Sequence, residues 1–335
     1  MWVAPCGRKQ VKSDPIIIIF GATGGLGQYI IRECKKRELE YLAIPRHITL
    51  YHQYEQWFHL DKDGVKQFGN DGACGPPQKN FEECMALLER ARRNGVAINC
   101  IGFGDVPGCD DDPVRSFESN VNSIVNVVKF VKDFDMHIVH VSTNDVFGQE
   151  TPPGDGWRTN FFPVAFGTYA THKHLGEQAL QSIYPDDKFA IVRATFMSPW
   201  SKSKGGETFY YTTWKTFRDA QLYPPSGEQC ETVWGYTNQG TCPLSVDTYA
   251  SALVDMALRK QTGVVHLSSS EEASRYDVLR HIQDVVNNNA SCLLGKKYEG
   301  DGTKHAWLHP VTHDLEEECK KFVKLCEDFE KHGKV

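Results

Sequence analysis

The sequence predicts an α/β fold: a doubly wound, mostly parallel sheet over residues 15–194, with a smaller region over residues 195–335 that is interleaved with late sheet elements. Three observations predict it. Apolar runs of strand length alternate with helical periodicity from Ile16 to Ser142, as expected of βαβ units. A glycine-rich turn links the first of those strands to the first helix. Past residue 194 the alternation loosens into stretches mixing Pro, Gly and aromatic residues, such as PPSGEQCETVWGYTNQGTCPLSV.

Taken in order, IIIIF at 16–20 is a strand, GATGGLG at 21–27 a turn, QYIIRECKKRE an amphipathic helix and YLAIP a second strand. The segment from about 51 to 80 is irregular, rich in Gly, Asp and Gln. FEECMALLERARR then reads as a helix and VAINCIG at 96–102 as a buried strand. The acidic run DDDP at 110–113 is placed to cap the helix after it rather than to bind metal. VRSFESNVNSIVNVVKFVKDF reads as one long helix leading into the strand HIVHVS. Later, residues 246–259 form a helix, GVVHL a strand, RYDVLRHIQDVV a helix, and Glu316, Glu317 and Glu318 open a C-terminal amphipathic helix where acids suit the dipole.

Composition excludes several classes of function. With 40% hydrophobic residues in a 335-residue chain, there is enough apolar material for one large core or two unequal ones. A balance of 37 basic against 43 acidic residues gives net charge −6, which supplies no field for nucleic acid or an anionic membrane. The longest apolar run, IIIIF, is far too short to span a bilayer, and MWVAPCGRKQVKSDP lacks the apolar core of a signal peptide. A cytoplasmic protein is expected, with a homodimer compatible with it. The eleven cysteines are odd in number and show no C-x-x-C pair, so reduced thiols and no metal site are expected.

In GATGGLG, Gly21, Gly24 and Gly27 fall in a G-x-x-G-x-x-G pattern directly after a strand and at the start of a helix. Such glycines permit a tight turn and close approach of the backbone to a pyrophosphate, which the helix N-terminus then receives. Dinucleotide binding on a Rossmann-type sheet follows, with contacts expected from Gly21, Thr23, Gly24, Gly25, Leu26 and Gly27, from Asn99 within VAINCIG, and from Tyr169 and Lys173. The acid that would hold a ribose 2′-hydroxyl at the end of the second strand is replaced by Arg46. A guanidinium suits a 2′-phosphate, so NADP(H) is expected ahead of NAD(H).

The candidate chemistry lies in HVSTNDVFG at 140–148 and YATHK at 169–173. On a helix, Tyr169 and Lys173 share a face. The expectation is that a nearby ammonium lowers the phenol's pKa, so that Tyr169 exchanges a proton with a carbonyl or alcohol while hydride moves to or from the nicotinamide. Thr143, at the strand end, would donate a hydrogen bond to the substrate oxygen. His172 and His174 flank Lys173 but fall off this face. Among the aromatics, Tyr210, Tyr211, Trp214 and Trp234 are candidates for base stacking or for core packing. Lys202, Lys204 and Arg218 are placed on solvated surface ahead of a diphosphate contact.

With these residues assembled, the chain resembles the extended short-chain dehydrogenase/reductase family over roughly residues 15 to 310. GATGGLG is similar to its cofactor loop, SNVNSIVNVV to its helix with a structural Asn, here Asn120, and Thr143, Tyr169 and Lys173 to its catalytic trio. Within the family, HVSTNDVFG resembles both the STDYVF segment of dTDP-4-dehydrorhamnose reductases and the STDEVYG segment of 4,6-dehydratases. The dehydratase pattern has two adjacent acids, whereas this chain has Asn144 and Asp145, and an amide cannot serve as general acid. VRATF, with Arg193, and NQGTCPLSVDTYASAL, with Gln239, Gly240 and Pro243, resemble reductase segments. The resemblance implies an NADP(H)-dependent oxidoreductase reducing a 4-keto-6-deoxy nucleotide sugar, with Thr143, Asn144, Asp145, Tyr169 and Arg193 toward substrate. Epimerisation or 4,6-dehydration with a recycled cofactor, and a non-catalytic regulatory subunit, are the alternatives it leaves.

Overall fold

The computed structural model describes residues 15–44, 81–148, 156–201, 206–222, 232–269, 273–286, 293–297, 308 and 312–332. Its centre is a six-stranded sheet. Strand β1 (Ile16–Phe20) lies between β2 (Tyr41–Ile44) and β3 (Gly95–Asn99), followed outward by β4 (His137–Val141), β5 (Phe189–Arg193) and the strand Gly263–His266. Every pairing in it is parallel. The chain steps from β1 to β2 on one side and returns to β3 on the other, so the strand order reverses at β1. Open parallel sheets bind ligands in the crevice at the carboxyl ends of strands flanking such a reversal.

The run IIIIF explains why this sheet must be covered on both faces. All five residues are at most 4% exposed. Alternate side chains point to opposite faces: Ile16, Ile18 and Phe20 pack with Leu88, Val127 and Leu180 from one helical layer. Ile17 and Ile19 pack with Ile30, Leu253 and Val254 from the other, contributed by helix Gly25–Lys36 and helix Val246–Arg259. The second half of the chain therefore supplies both a strand and a covering helix to the sheet.

Its remaining elements form a separate apolar cluster in which Trp214, Phe217, Leu279, Ile282 and Phe322 are buried. Tyr211 and Trp214 belong to that cluster, at 3% and 1% exposure, so they are core residues. Trp234 is 49% exposed. Cys34, Cys100, Cys109, Cys242, Cys319 and Cys326 are free thiols. No helix among the described residues is long and apolar enough to cross a membrane, and among them no group of side chains could hold a metal ion.

The expected long helix after DDDP is interrupted. Helix Pro113–Phe117, with Asp112 accepting from the Arg115 N–H as its N-cap, runs into a π-turn at Glu118–Asn122 before helix Ser123–Asp133 continues. The wider turn carries Asn120, whose Oδ1 accepts from the Phe103 N–H at 3.0 Å and whose Nδ2 donates to the Phe103 carbonyl at 3.2 Å. This one amide fixes the loop leaving β3, beside the crevice. Residues 45–80, with the irregular 51–80 segment and Arg46, lie outside the described residues, as do Lys202 and Lys204.

Candidate active site

The glycine turn does what its spacing requires. Gly21 has φ of +83°, and a Cβ there would meet the Ile101 N at 2.9 Å, so only glycine lets the β1 turn approach the β3 exit this closely. The N-cap of helix Gly25–Lys36 is Gly24, which brings no capping side chain. First-turn N–H groups without a side-chain cap suit an anion such as a pyrophosphate. Thr23, Gly25, Leu26 and Gly27 belong to this same turn and first helical residues, with Leu26 and Gly27 buried. Asn99 sits at the end of β3 but is fully buried; its Oδ1 accepts from the Ile101 N–H at 3.1 Å and its amide meets His140 Nδ1 at 3.2 Å.

Strand β4 delivers Ser142 and Thr143 at its end. Thr143, 5% exposed, caps the short 3-10 turn Asn144–Phe147, accepting from the Asp145 N–H at 3.1 Å. Its hydroxyl lies 3.4 Å from Asp145 Oδ2. Helix Thr168–Ile183 brings Tyr169 beside Thr143 and sets Lys173 one turn deeper, where Nζ donates to the Val141 carbonyl at 2.7 Å. Thr143, Asp145, Tyr169 and Lys173 are thus brought together at the carboxyl end of β4. Asn144 is buried alongside, at 4% exposure.

The expectation that Lys173 lowers the Tyr169 pKa is not met. Burial pushes the phenol well above its ordinary value, the Asp145 carboxylate pushes it further, and the hydrogen bond with Thr143 only partly opposes them. Lys173 itself is pushed down to about 8 by burial, with Glu177 acting in the other direction. At neutral pH the site holds a protonated phenol above a buried ammonium.

Arg193 is drawn into the wall of the site. At 3% exposure, its Nε and Nη2 donate to Glu177 Oε1 and Oε2 at 3.0 and 2.7 Å, and its guanidinium lies over the Phe147 ring, 5.0 Å from the centroid. Phe147 stacks in turn on Trp157, centroids 4.7 Å apart. Ser142 also donates to Glu177. Ser142 and Glu177 escaped notice in the sequence; the available signal was that Glu177 comes four residues after Lys173, as Lys173 comes four after Tyr169. His172 binds Ser116 Oγ at 2.9 Å, away from Lys173. Arg218 pairs with Asp219 and Glu330 and lies over the Trp214 ring, in keeping with a surface role.

The model of the RmlD substrate binding domain matches residues 16–304, spanning the crevice, Thr143, Tyr169 and Lys173. The chain belongs to that family. Among curated relatives it is 23% identical over 278 residues to the probable low-salt glycan biosynthesis reductase Agl14 of Haloferax volcanii, covering 82% of this chain and 81% of that one. It is 24% identical to the dTDP-4-dehydrorhamnose reductase of Mycolicibacterium smegmatis, over 81% of this chain and 69% of that protein. The crystal structure of dTDP-4-dehydrorhamnose reductase from Bacillus anthracis in complex with NADP superposes with a TM-score of 0.68 at 16% identity, covering 92% of this chain and 98% of the other. That likeness is one of fold, and it agrees with the extended short-chain dehydrogenase/reductase architecture expected from the sequence.

Proposed function

We propose that this member of the RmlD family is an NADP(H)-dependent reductase of a nucleotide-linked 4-keto-6-deoxy sugar. The carrying observation is the arrangement at the end of β4: Thr143 stands at the strand end, with Tyr169 and Lys173 one helical turn apart on the helix beside it and Lys173 Nζ held by the Val141 carbonyl at 2.7 Å. Reduction of a ketone needs that arrangement. When bound, a nicotinamide would supply hydride for the carbonyl carbon; Thr143 and Tyr169 would hold the carbonyl oxygen, and Tyr169 would give its proton to the developing alkoxide. Lys173 sits behind the phenol as the positive charge that compensates it afterwards.

The crevice residues suit the cofactor. Gly21 and Gly27 let the turn close tightly on the β3 exit and on itself, and the uncapped start of helix Gly25–Lys36 suits the pyrophosphate. Arg46 is assigned to the 2′-phosphate on the sequence reading. Replacing Arg46 by Ala should lower the preference for NADPH over NADH by roughly 10-fold or more, measured as the ratio of Kd values; an unchanged ratio would remove the assignment. Asn144 and Asp145 are assigned to the sugar. Only one of them is ionisable, so the pair of proton transfers needed for 4,6-dehydration lacks its second carboxyl group.

The experiment is a measurement of NADPH oxidation with nucleotide-linked 4-keto-6-deoxy hexoses, with products identified by mass spectrometry. A reductase consumes one NADPH for each sugar reduced. Loss of water from an intact nucleotide hexose, with no net NADPH consumed, would replace the proposal by a dehydratase.

A further inference from the structure

Beyond the trio, the helix that carries Tyr169 and Lys173 has a third residue on the same face. Tyr169, Lys173 and Glu177 recur every four residues within Thr168–Ile183, which places them in one stripe. The stripe runs from the crevice into the interior, where Glu177 is 1% exposed. There its carboxylate gathers donors from two strand ends. Ser142 Oγ donates to Oε1. Arg193 donates through Nε to Oε1 at 3.0 Å and through Nη2 to Oε2 at 2.7 Å.

These partners are not arbitrary. Ser142 immediately precedes Thr143, and Arg193 is the last residue of β5. The Ser142 N–H also donates to the Val192 carbonyl at 2.8 Å, joining the two exits. One buried carboxylate thereby fixes the rotation and height of the catalytic helix against both strands that flank the reacting oxygen. A bidentate guanidinium–carboxylate pair is a geometrically demanding clamp. Gly176 permits the approach from the other side, since a Cβ there would meet the Asn120 carbonyl oxygen at 2.4 Å.

The charges around Lys173 point the same way. Its ammonium is 4% exposed and held by the neutral Val141 carbonyl. Facing it are Glu177 from its own helix, Cys100 from the β3 exit, and His140 from β4; the phenol of Tyr169 lies one turn above. Burial and then the Lys173 charge push His140 down to about 3, so it is neutral, and burial pushes the Cys100 thiol up to about 12. Of these groups Glu177 alone carries a negative charge at neutral pH: burial works against its carboxylate, but His174, whose Nδ1 lies 3.6 Å from Oε2, with Arg193 and Ser142, holds the carboxyl at about 2.

We infer that Glu177 is a positioning residue for the reduction: it locks the helix bearing Tyr169 and Lys173 to both strand ends and furnishes the counter-charge for the buried Lys173 ammonium. This rests on the reductase reading above, and it adds to that reading a residue that touches neither cofactor nor substrate.

The test compares Glu177→Gln with Glu177→Gln/Arg193→Gln, the double change avoiding an orphaned buried guanidinium, and with the charge-conserving Glu177→Asp. Thermal melts confirm folding. In folded glutamine variants the alkaline limb of kcat/KM should move down by about one pH unit or more, and kcat should fall roughly 10-fold or more with KM for NADPH little changed. Glu177→Asp should return the limb toward its wild-type position. Independently of turnover, the 13Cε resonance of Lys173 in labelled, ligand-free protein, assigned with Lys173→Arg, should titrate lower in the glutamine variants. A folded double variant with a wild-type alkaline limb and a wild-type Lys173 titration would overturn the inference. If the wild-type protein reduces no keto sugar, the reductase reading fails on its own, and the Lys173 titration still decides whether Glu177 sets that charge.

Discussion

At Tyr169, burial and the Asp145 carboxylate both disfavour the phenolate, so the phenol is protonated at neutral pH, as the proposed proton transfer requires. Removing that proton while keeping the ring, as in Tyr169→Phe, should cost roughly 10²-fold or more in kcat with the melting temperature nearly unchanged. Lys173 sets the pH range. With its pKa near 8 in the fold, the ammonium is present below that value and lost above it, so turnover should decline as pH rises through about 8. Its effect on stability runs the other way. The unfolded chain holds this proton up to the ordinary lysine pKa of 10.5 and the folded chain releases it near 8, so between those values stability gains with pH. A pH series of both rate and melting temperature separates the two. Thr143, Tyr169 and Lys173 were legible because their spacing reports the local geometry of a strand end and one helical turn. The clamp of Ser142, Glu177 and Arg193 was not, since it depends on contacts 16 and 35 residues apart in sequence.

Among the elements, the strands, the glycine turn and the catalytic helix follow from apolar runs and periodicity, because burial on both faces of a parallel sheet leaves an unbroken apolar run such as IIIIF. The π-turn at Glu118–Asn122 left no such trace: its sequence keeps helical periodicity, and the extra residue is favoured by Asn120 reaching the Phe103 backbone. The catalytic helix presses on that turn at Gly176. A Gly176→Ala change inserts a methyl where the Asn120 carbonyl oxygen is 2.4 Å away, and should destabilise the protein by about 1–3 kcal/mol. Because Asn120 holds the β3 exit, the same change should weaken cofactor binding, seen by titrating NADPH fluorescence. An unchanged melting temperature would show that the two helices are free to separate there.

For the whole molecule, the order of the sheet places the β1 turn, the β3 exit and the end of β4 along one edge, and helix Thr168–Ile183 brings Tyr169 and Lys173 to that same edge. The second half completes this arrangement from outside: helix Val246–Arg259 covers one face, and Cys242 and Leu308 pack with Trp157 around Phe147 beneath the Asn144–Phe147 turn. That joint was hidden from sequence reading because its members lie far apart in the chain. The central claim is a direct hydride transfer to a sugar carbonyl with a proton from Tyr169, and the most direct test is isotopic. With NADPH carrying deuterium at the transferable position and a nucleotide-linked 4-keto-6-deoxy hexose, the product should carry one deuterium at C4 for each NADPH oxidised. Product without deuterium, or deuterium-free turnover of an unreduced nucleotide hexose with NADPH conserved, would contradict the account.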